Sequence, residues 1–204
     1  METDAQEWVP ADADVAALAR AAHDCRGCEL WEGATQVVFS SGAEHGRLML
    51  VGEQPGDRED LAGEPFVGPA GRVLDEALEA AGVAREEVYL TNAVKHFRFE
   101  QRGKRRIHEK PDLRHLVACR PWLEAELEAV DPDVVVCLGA TAGRSVLGRT
   151  VRIGAERGRL LDELPGRSAL ITTHPSALLR LRGHGGWDEA FEALVADLRV
   201  AGSA

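Results

Sequence analysis

No stretch of this chain stays apolar for the roughly 18 to 20 residues a membrane span needs, although 45% of its residues are hydrophobic. Residues 1–14 (METDAQEWVPADAD) lack both the basic start and the apolar stretch of a secretory leader, so a cytoplasmic protein is expected. Disulfides are rare in that compartment, and the four cysteines need another explanation. An excess of basic charge is missing as well. The net charge of −10 disfavours a protein that coats nucleic acid over its whole surface, though not one that grips it locally. Internal repeats, low-complexity linkers and heptad patterns are not visible. The 204 residues suit one domain, 1–204, with residues 1–24 as a helical lead-in to the first cysteine pair, and a monomer is expected.

Four short apolar runs are present and read as strands: Arg47–Gly52, Val88–Val94, Asp133–Gly139 and Ser168–His174. They are nearly continuous and bounded by Gly, Asp or Pro, as expected when both faces of a parallel sheet are covered. Helical patterns separate them at Ala70–Ala81, Leu113–Val130 and Ala140–Leu147, with further helices at Asp14–His23 and Trp187–Val200. The alternation implies an α/β fold, a three-layer α/β/α sandwich around a four-stranded parallel central sheet. In such sheets ligands bind beyond the carboxyl ends of the strands. That rule gathers Glu53 and Gln54 after the first strand, Asn92 and His96 at the second, and His174 at the fourth.

Gly52-Glu53-Gln54-Pro55-Gly56-Asp57 follows the first strand, and Pro65-Phe66-Val67-Gly68-Pro69-Ala70-Gly71 opens the next helix. Glycines let the backbone approach a ligand, and a helix start offers free N–H groups. The lysine and spacing of a P-loop are missing, as is the G-x-G-x-x-G of a dinucleotide fold, so a nucleotide-binding protein is unsupported. Phe66 reads either as core or as a flat surface on which a flipped base stacks. From Arg98 to Lys110 six basic residues stand against two acidic ones, a net +4, which suits a solvated loop or a phosphate contact. Cys25-Arg26-Gly27-Cys28 is a C-x2-C pair, with Cys119 and Cys137 far downstream. Redox, zinc and iron–sulfur sites all begin with such a pair. This one follows a helix rather than opening one after a strand, unlike a thioredoxin pair, and the second close pair of a zinc site is lacking.

Gly52-Glu53-Gln54-Pro55-Gly56, Pro65-Phe66-Val67-Gly68-Pro69-Ala70-Gly71, Thr91-Asn92, Ala118-Cys119-Arg120-Pro121 and His174-Pro175-Ser176 together resemble the family-4 uracil-DNA glycosylases and their X-type relatives. The resemblance runs from about Cys25 to the last helix. It implies a uracil-DNA glycosylase-like fold, uracil-containing DNA as partner, single-stranded and possibly double-stranded, and free uracil as product. By this resemblance Phe66 stacks on the extruded uracil and Asn92 reads its Watson–Crick edge, donating to O4 and accepting from N3–H. The simpler alternative for Asn92 is a backbone cap at a strand end. His174 would stabilise charge on the departing base, or merely start a helix. Glu53 would face the sugar and stabilise oxocarbenium character at C1′. Gln54 would contribute contacts to the base or to the catalytic loop. Asp57 and Asp60 are nearby acids that either assist or sit solvated at the surface.

Lys104-Arg105-Arg106-Ile107-His108 resembles the KRRIH loop of the X-type enzymes, in which the histidine attacks C1′ and stays attached. An imidazole, with a reference pKa of about 6.5, is mostly unprotonated at neutral pH and nucleophilic. Glu53 or Gln54 would hold one ring nitrogen so that the other faces the sugar. The alternatives are a conventional multiple-turnover enzyme in which His108 contacts the DNA backbone, and a non-catalytic module that senses uracil. Arg105 and Arg106 would pair with phosphate or brace the loop, and Arg106 is counted among the substrate-binding residues. The resemblance further implies a [4Fe–4S] cluster with a structural role. Family-4 sequences place a cysteine where this chain reads Val94-Lys95-His96-Phe97, so the expected ligands are Cys25, Cys28, His96 and Cys119. An all-cysteine set using Cys137 is the alternative, since Cys137 otherwise reads as a small core residue.

Overall fold

The structure is a computed structural model describing residues 4–204; the first three residues of the acidic opening segment lie outside the described part. Its elements in chain order are α1 (Val15–Ala22), α2 (Leu30–Gly33), β1 (Ser40–Gly42), β2 (Leu48–Gly52), α3 (Asp57–Ala62), α4 (Pro69–Ala81) and β3 (Val88–Asn92). There follow β4 (Phe99–Arg102), β5 (Arg105–His108), α5 (Leu113–Val130), β6 (Val134–Leu138), α6 (Ala140–Leu147) and α7 (Ile153–Glu156). β7 (Leu160–Leu164), β8 (Arg167–Thr172), α8 (Pro175–Leu179) and α9 (Trp187–Gly202) complete the chain.

The four apolar runs form the centre of one sheet, ordered β1-β3-β2-β6-β8-β7. β3, β2, β6 and β8 run parallel, with Leu50 opposite Leu90 and Val136, and Val136 opposite Leu170. Two antiparallel edge strands, β1 and β7, extend the expected four to six. Neither edge carries an apolar run of its own, because one side of an edge strand meets solvent: β1 is Ser-Ser-Gly and β7 is Leu-Leu-Asp-Glu-Leu.

Alternate residues of each central strand enter opposite cores. Met49, Val51, Tyr89, Val135 and Ile171 pack with Leu116, Trp122 and Leu123 of α5, Leu18 of α1 and Val146 of α6. Leu48, Leu50, Leu90, Val136 and Leu170 pack with Leu74 and Leu78 of α4 and with Leu194 and Leu198 of α9. Each such fully buried side chain contributes about 1.5–3 kcal/mol, which makes the strand ends a rigid platform. The helices after neighbouring β2 and β6 leave on opposite faces of the sheet, α4 on one and α6 on the other. The carboxyl ends of these two strands therefore flank the crevice where such sheets bind ligands.

The basic segment is a hairpin rather than an irregular loop. β4 and β5 pair antiparallel, from Phe99 opposite His108 to Arg102 opposite Arg105, around a turn in which Gly103 adopts φ 60°. Glycine suits that turn because a positive φ costs it nothing.

Candidate active site

Strand ends build the pocket. A methyl group on Gly52 would stand 2.2 Å from Asn92 Oδ1 and 2.7 Å from Phe66 Cζ, so only glycine lets the amide and the aromatic ring meet across this strand end. Phe66 adopts φ 60°, a strained value for a residue bearing a Cβ. Gly71 accommodates it, since a Cβ there would lie 1.6 Å from the Phe66 carbonyl oxygen. The Phe66 ring belongs to the core under β2 and also walls the pocket, 6.3 Å from the His174 ring at an interplanar angle of 29°. Asn92 is buried, and its side chain caps no backbone among the described residues. The hydrogen bond at this residue falls on its main-chain carbonyl, from Lys95 Nζ at 3.0 Å.

His174 is both a helix start and a pocket residue. It is the N-cap of α8, and its Nδ1 accepts the Ser176 backbone N–H at 3.1 Å, with the Ser176 hydroxyl at 2.8 Å. A backbone amide can only donate, so Nδ1 carries the lone pair and Nε2 carries the hydrogen of the neutral ring. Burial pushes this imidazole down to about 4, with His108 and Arg180 adding to the effect. At neutral pH it is an uncharged donor through Nε2–H.

Glu53 follows β2, partly buried. The Thr141 hydroxyl at the start of α6 donates to Glu53 Oε2, which ties the β2 end to the β6 end across the crevice. The other carboxylate oxygen, Oε1, lies 3.8 Å from His108 Nε2. Gln54 is buried and holds the hairpin's base: Oε1 accepts Arg98 N–H at 3.2 Å, and Nε2 lies 3.1 Å from Arg98 O and 2.9 Å from Glu109 O. The same Nε2 is 3.0 Å from His108 Nε2. Glu53 and Gln54 thus both approach one nitrogen of His108, Nε2, instead of holding one ring nitrogen and leaving the other to face the pocket.

Register settles which arginine points inward. Arg106, expected at the substrate, lies over Phe97 and Phe99, its guanidinium carbon 5.5 and 5.2 Å from their ring centroids. It donates to Asp57 Oδ1 at 2.6 Å, Asp60 Oδ2 at 2.5 Å and Thr35 Oγ1 at 3.1 Å. Those contacts brace the hairpin against α3. Asp60 is fully buried and also accepts the Thr35 N–H, so it is structural, while Asp57 is half exposed on the same clamp. Arg105, its neighbour on β5, is exposed.

Cys25 and Cys119 are buried, and Cys28 is partly so. Burial pushes the Cys119 thiol up to about 12; Lys95 opposes the rise, while Cys28 and Cys25 add to it. Cys137 is raised to about 12 by burial alone and sits inside β6. Two N–H groups already address the sulfurs, Lys95 N to Cys119 Sγ and Trp122 Nε1 to Cys25 Sγ, both at 3.3 Å. His96 is buried, its imidazole pushed down to about 4 mainly by burial, with no hydrogen bond contributing. No hydrogen bond holds the His96 ring among the described residues, and a neutral imidazole has a lone pair to offer a metal. Among the described residues no group of three His, Cys, Asp or Glu could hold a single metal ion. His96 follows Lys95, whose N–H reaches Cys119 Sγ, and Cys25 and Cys119 share one buried cluster against which Cys28 packs; thiols and imidazoles are the donors that iron–sulfur clusters use.

Residues 39–199 match the family model described as the uracil DNA glycosylase superfamily. The chain belongs to that superfamily. Relatives named type-4 uracil-DNA glycosylase include one from Thermotoga maritima, 41% identical over 78% of this chain and 80% of its own length. Those from Archaeoglobus fulgidus and Saccharolobus solfataricus are 34% and 31% identical, over 79% and 76% of this chain and 81% and 72% of their own. The matched span holds every pocket residue named above, together with His96 and Cys119, but begins after Cys25 and Cys28.

In this superfamily member Glu53, Gln54, Phe66, Asn92, His108 and His174 are gathered at one site, and Asp57 and Arg106 sit at the clamp on α3; His96, which the strand-end rule placed with Asn92, is buried where Arg26 and Asp60 act on it. Three participants escaped the sequence. Thr141 stands just beyond β6, a position the strand-end rule covers, but its partner Glu53 is 88 residues away and was not legible. Glu59, buried, accepts the N–H groups of Gly56 at 3.2 Å and Gly68 at 2.7 Å, pinning both ends of the loop that carries Phe66. Lys95 pairs with Glu126, 31 residues away, and no local pattern announces such a pair.

Proposed function

We propose that this chain excises uracil from DNA, cleaving the N-glycosidic bond to leave an abasic site and free uracil. The observation that carries this is the buried Asn92 amide meeting the strained Phe66 ring across Gly52, with the neutral His174 imidazole stacked 6.3 Å beyond that ring. Uracil offers O4 and N3–H to such an amide, whereas cytosine reverses both and is refused. Phe66 supplies the stacking surface. As the C1′–N1 bond breaks, its electron pair leaves on the base, and the hydrogen bond from His174 Nε2–H steadies the charge. The Glu53 carboxylate meets the positive character at C1′. The likeness to type-4 enzymes over three quarters of the chain supports this reading.

Beyond excision, the closeness of His108 Nε2 to Glu53 Oε1 favours capture of the sugar by His108. For this step the Nε2 lone pair must leave the Gln54 amide, from which it accepts in the free protein, and form the bond to C1′, while Glu53 balances the positive ring that results. In the alternative, repeated turnover, water takes the place of Nε2 and gives its proton to Glu53. Boiling the protein in detergent with uracil-containing single-stranded DNA decides between them. Capture predicts a shifted band that disappears in His108→Ser while free uracil persists; turnover predicts free uracil and no band; neither product overturns excision itself. Glu53→Ala is expected to slow excision while leaving DNA binding in place.

The donor set supports a [4Fe–4S] cluster on Cys25, Cys28, His96 and Cys119, with Cys137 left in the core. Once bound, such a cluster would tie the segment before β1 to the sheet and to α5.

A further inference from the structure

Lys95 and Glu126 are the most deeply buried charges in the molecule to have escaped the functional reading, with side chains 1% and 0% exposed. The ammonium donates to Glu126 Oε2, to Thr91 Oγ1 at 2.5 Å and to the main-chain carbonyl of Asn92 at 3.0 Å, with the Phe39 ring 4.9 Å away. Glu126 is itself saturated, its Oε1 accepting from Tyr89 OH at 2.8 Å and Thr91 Oγ1 at 2.7 Å. Buried ion pairs of this kind contribute little to stability over a well-packed neutral replacement, so their retention asks for a reason other than folding. The reason lies in what the lysine touches. Asn92 is the last residue of β3, where regular pairing ends, and the Lys95 ammonium takes up its carbonyl. On the other side, Ala93 N–H and Val94 N–H bond to Gly52 and Glu53 carbonyls at 2.9 and 3.1 Å, so the residues after Asn92 are stitched to the β2 end. The Asn92 amide hangs from a peptide held on both sides.

We infer that Lys95 is a positioning residue that fixes the Asn92 amide in register with the uracil edge by holding the Asn92 carbonyl; this rests on the proposed reading of Asn92. A change in that carbonyl's hydrogen bond rotates the adjoining peptide and swings the amide out of plane with the base. Misplacement on the order of 1 Å can cost about a hundredfold in rate.

Two neutral pairs test this on the full-length protein: Lys95→Met/Glu126→Gln and Lys95→Gln/Glu126→Gln. In both, the amide introduced at position 126 still accepts from Tyr89, and the buried charge is gone. Only the second keeps a donor at position 95 able to reach the Asn92 carbonyl. Uracil release from DNA is followed in single turnover at varied protein concentration, alongside thermal unfolding, wild type and Asn92→Ala. Expected is a maximal rate about tenfold or more below wild type for the methionine pair and within about threefold for the glutamine pair. Half-saturating concentrations and melting temperatures should stay close to wild type in both. Equal rates for the two pairs would overturn the inference. So would unfolding of both, because the lysine would then serve the sheet rather than one amide. If wild type itself releases no uracil, or Asn92→Ala releases it unimpaired, the failure belongs to the reading of the pocket, and the inference falls with it.

Discussion

At the scale of single residues, the pocket's chemistry is set by contacts that first look structural. His174 caps α8, and that cap is what leaves Nε2–H as the ring's donor. The same placement has a consequence for stability. The folded imidazole titrates at about 4 and the unfolded one at about 6.5. As pH falls below 6.5 the unfolded chain takes up this proton first, so stability from this residue is full above 6.5 and declines across the interval down to 4. The decline amounts to about 3 kcal/mol at most, less where solvent reaches the ring edge. Urea unfolding at pH 7 and pH 5 is expected to show a smaller loss on acidification for His174→Asn than for wild type; equal losses would mean the ring is not buried as described. Glu53, Asn92 and His174 stand out in the sequence because each lies at or beside a strand end, whereas Phe66 stands out only through the loop that opens α4 and the family resemblance. Their hydrogen-bond partners do not. Thr141 meets Glu53 across 88 residues of chain, and such pairings follow from sheet order, not from local pattern.

At the scale of elements, the central strands were readable because burial on both faces leaves an unbroken apolar run. The edge strands and the β4–β5 hairpin were not, since charged and small residues there hide any alternation. The hairpin's register is what separates two adjacent arginines that composition treats alike. Arg106 is consumed by Asp57, Asp60 and Thr35, while Arg105 faces solvent on a basic flap. Arg106→Ala should therefore lower stability by on the order of 3 kcal/mol, because buried Asp60 loses its counter-charge. Arg105→Ala should leave stability almost unchanged and make the logarithmic salt dependence of single-stranded DNA binding shallower by about 0.7, the share of one phosphate. Urea unfolding checks the first and binding isotherms at several salt concentrations the second; the opposite assignment of the two effects would contradict the clamp.

At the scale of the whole molecule, a chain of net charge −10 binds a polyanion only if its few unpaired cations are gathered on one side. Lys104 and Arg105 at the tip of the flap are exposed and form no ion pair among the described residues, so they offer such a local grip. Cys119 accepts the Lys95 N–H, and His96 follows Lys95, so the proposed metal centre and the base reader share one five-residue stretch, 92–96. The protein purified without oxygen is expected to be brown with about four irons per chain. Cys119→Ser should lose that iron and Cys137→Ser should retain it; a colourless protein, or iron lost only with Cys137, would refute the ligand set. The central claim, that the pocket at the β2 and β6 ends removes uracil, is tested most directly by quantifying free uracil released from a deoxyuridine-containing oligonucleotide. The account predicts release by wild type, strongly reduced in Asn92→Ala, and limited to about one uracil per protein molecule where His108 retains the sugar. Absence of free uracil at excess protein, or release undiminished in Asn92→Ala, would contradict it.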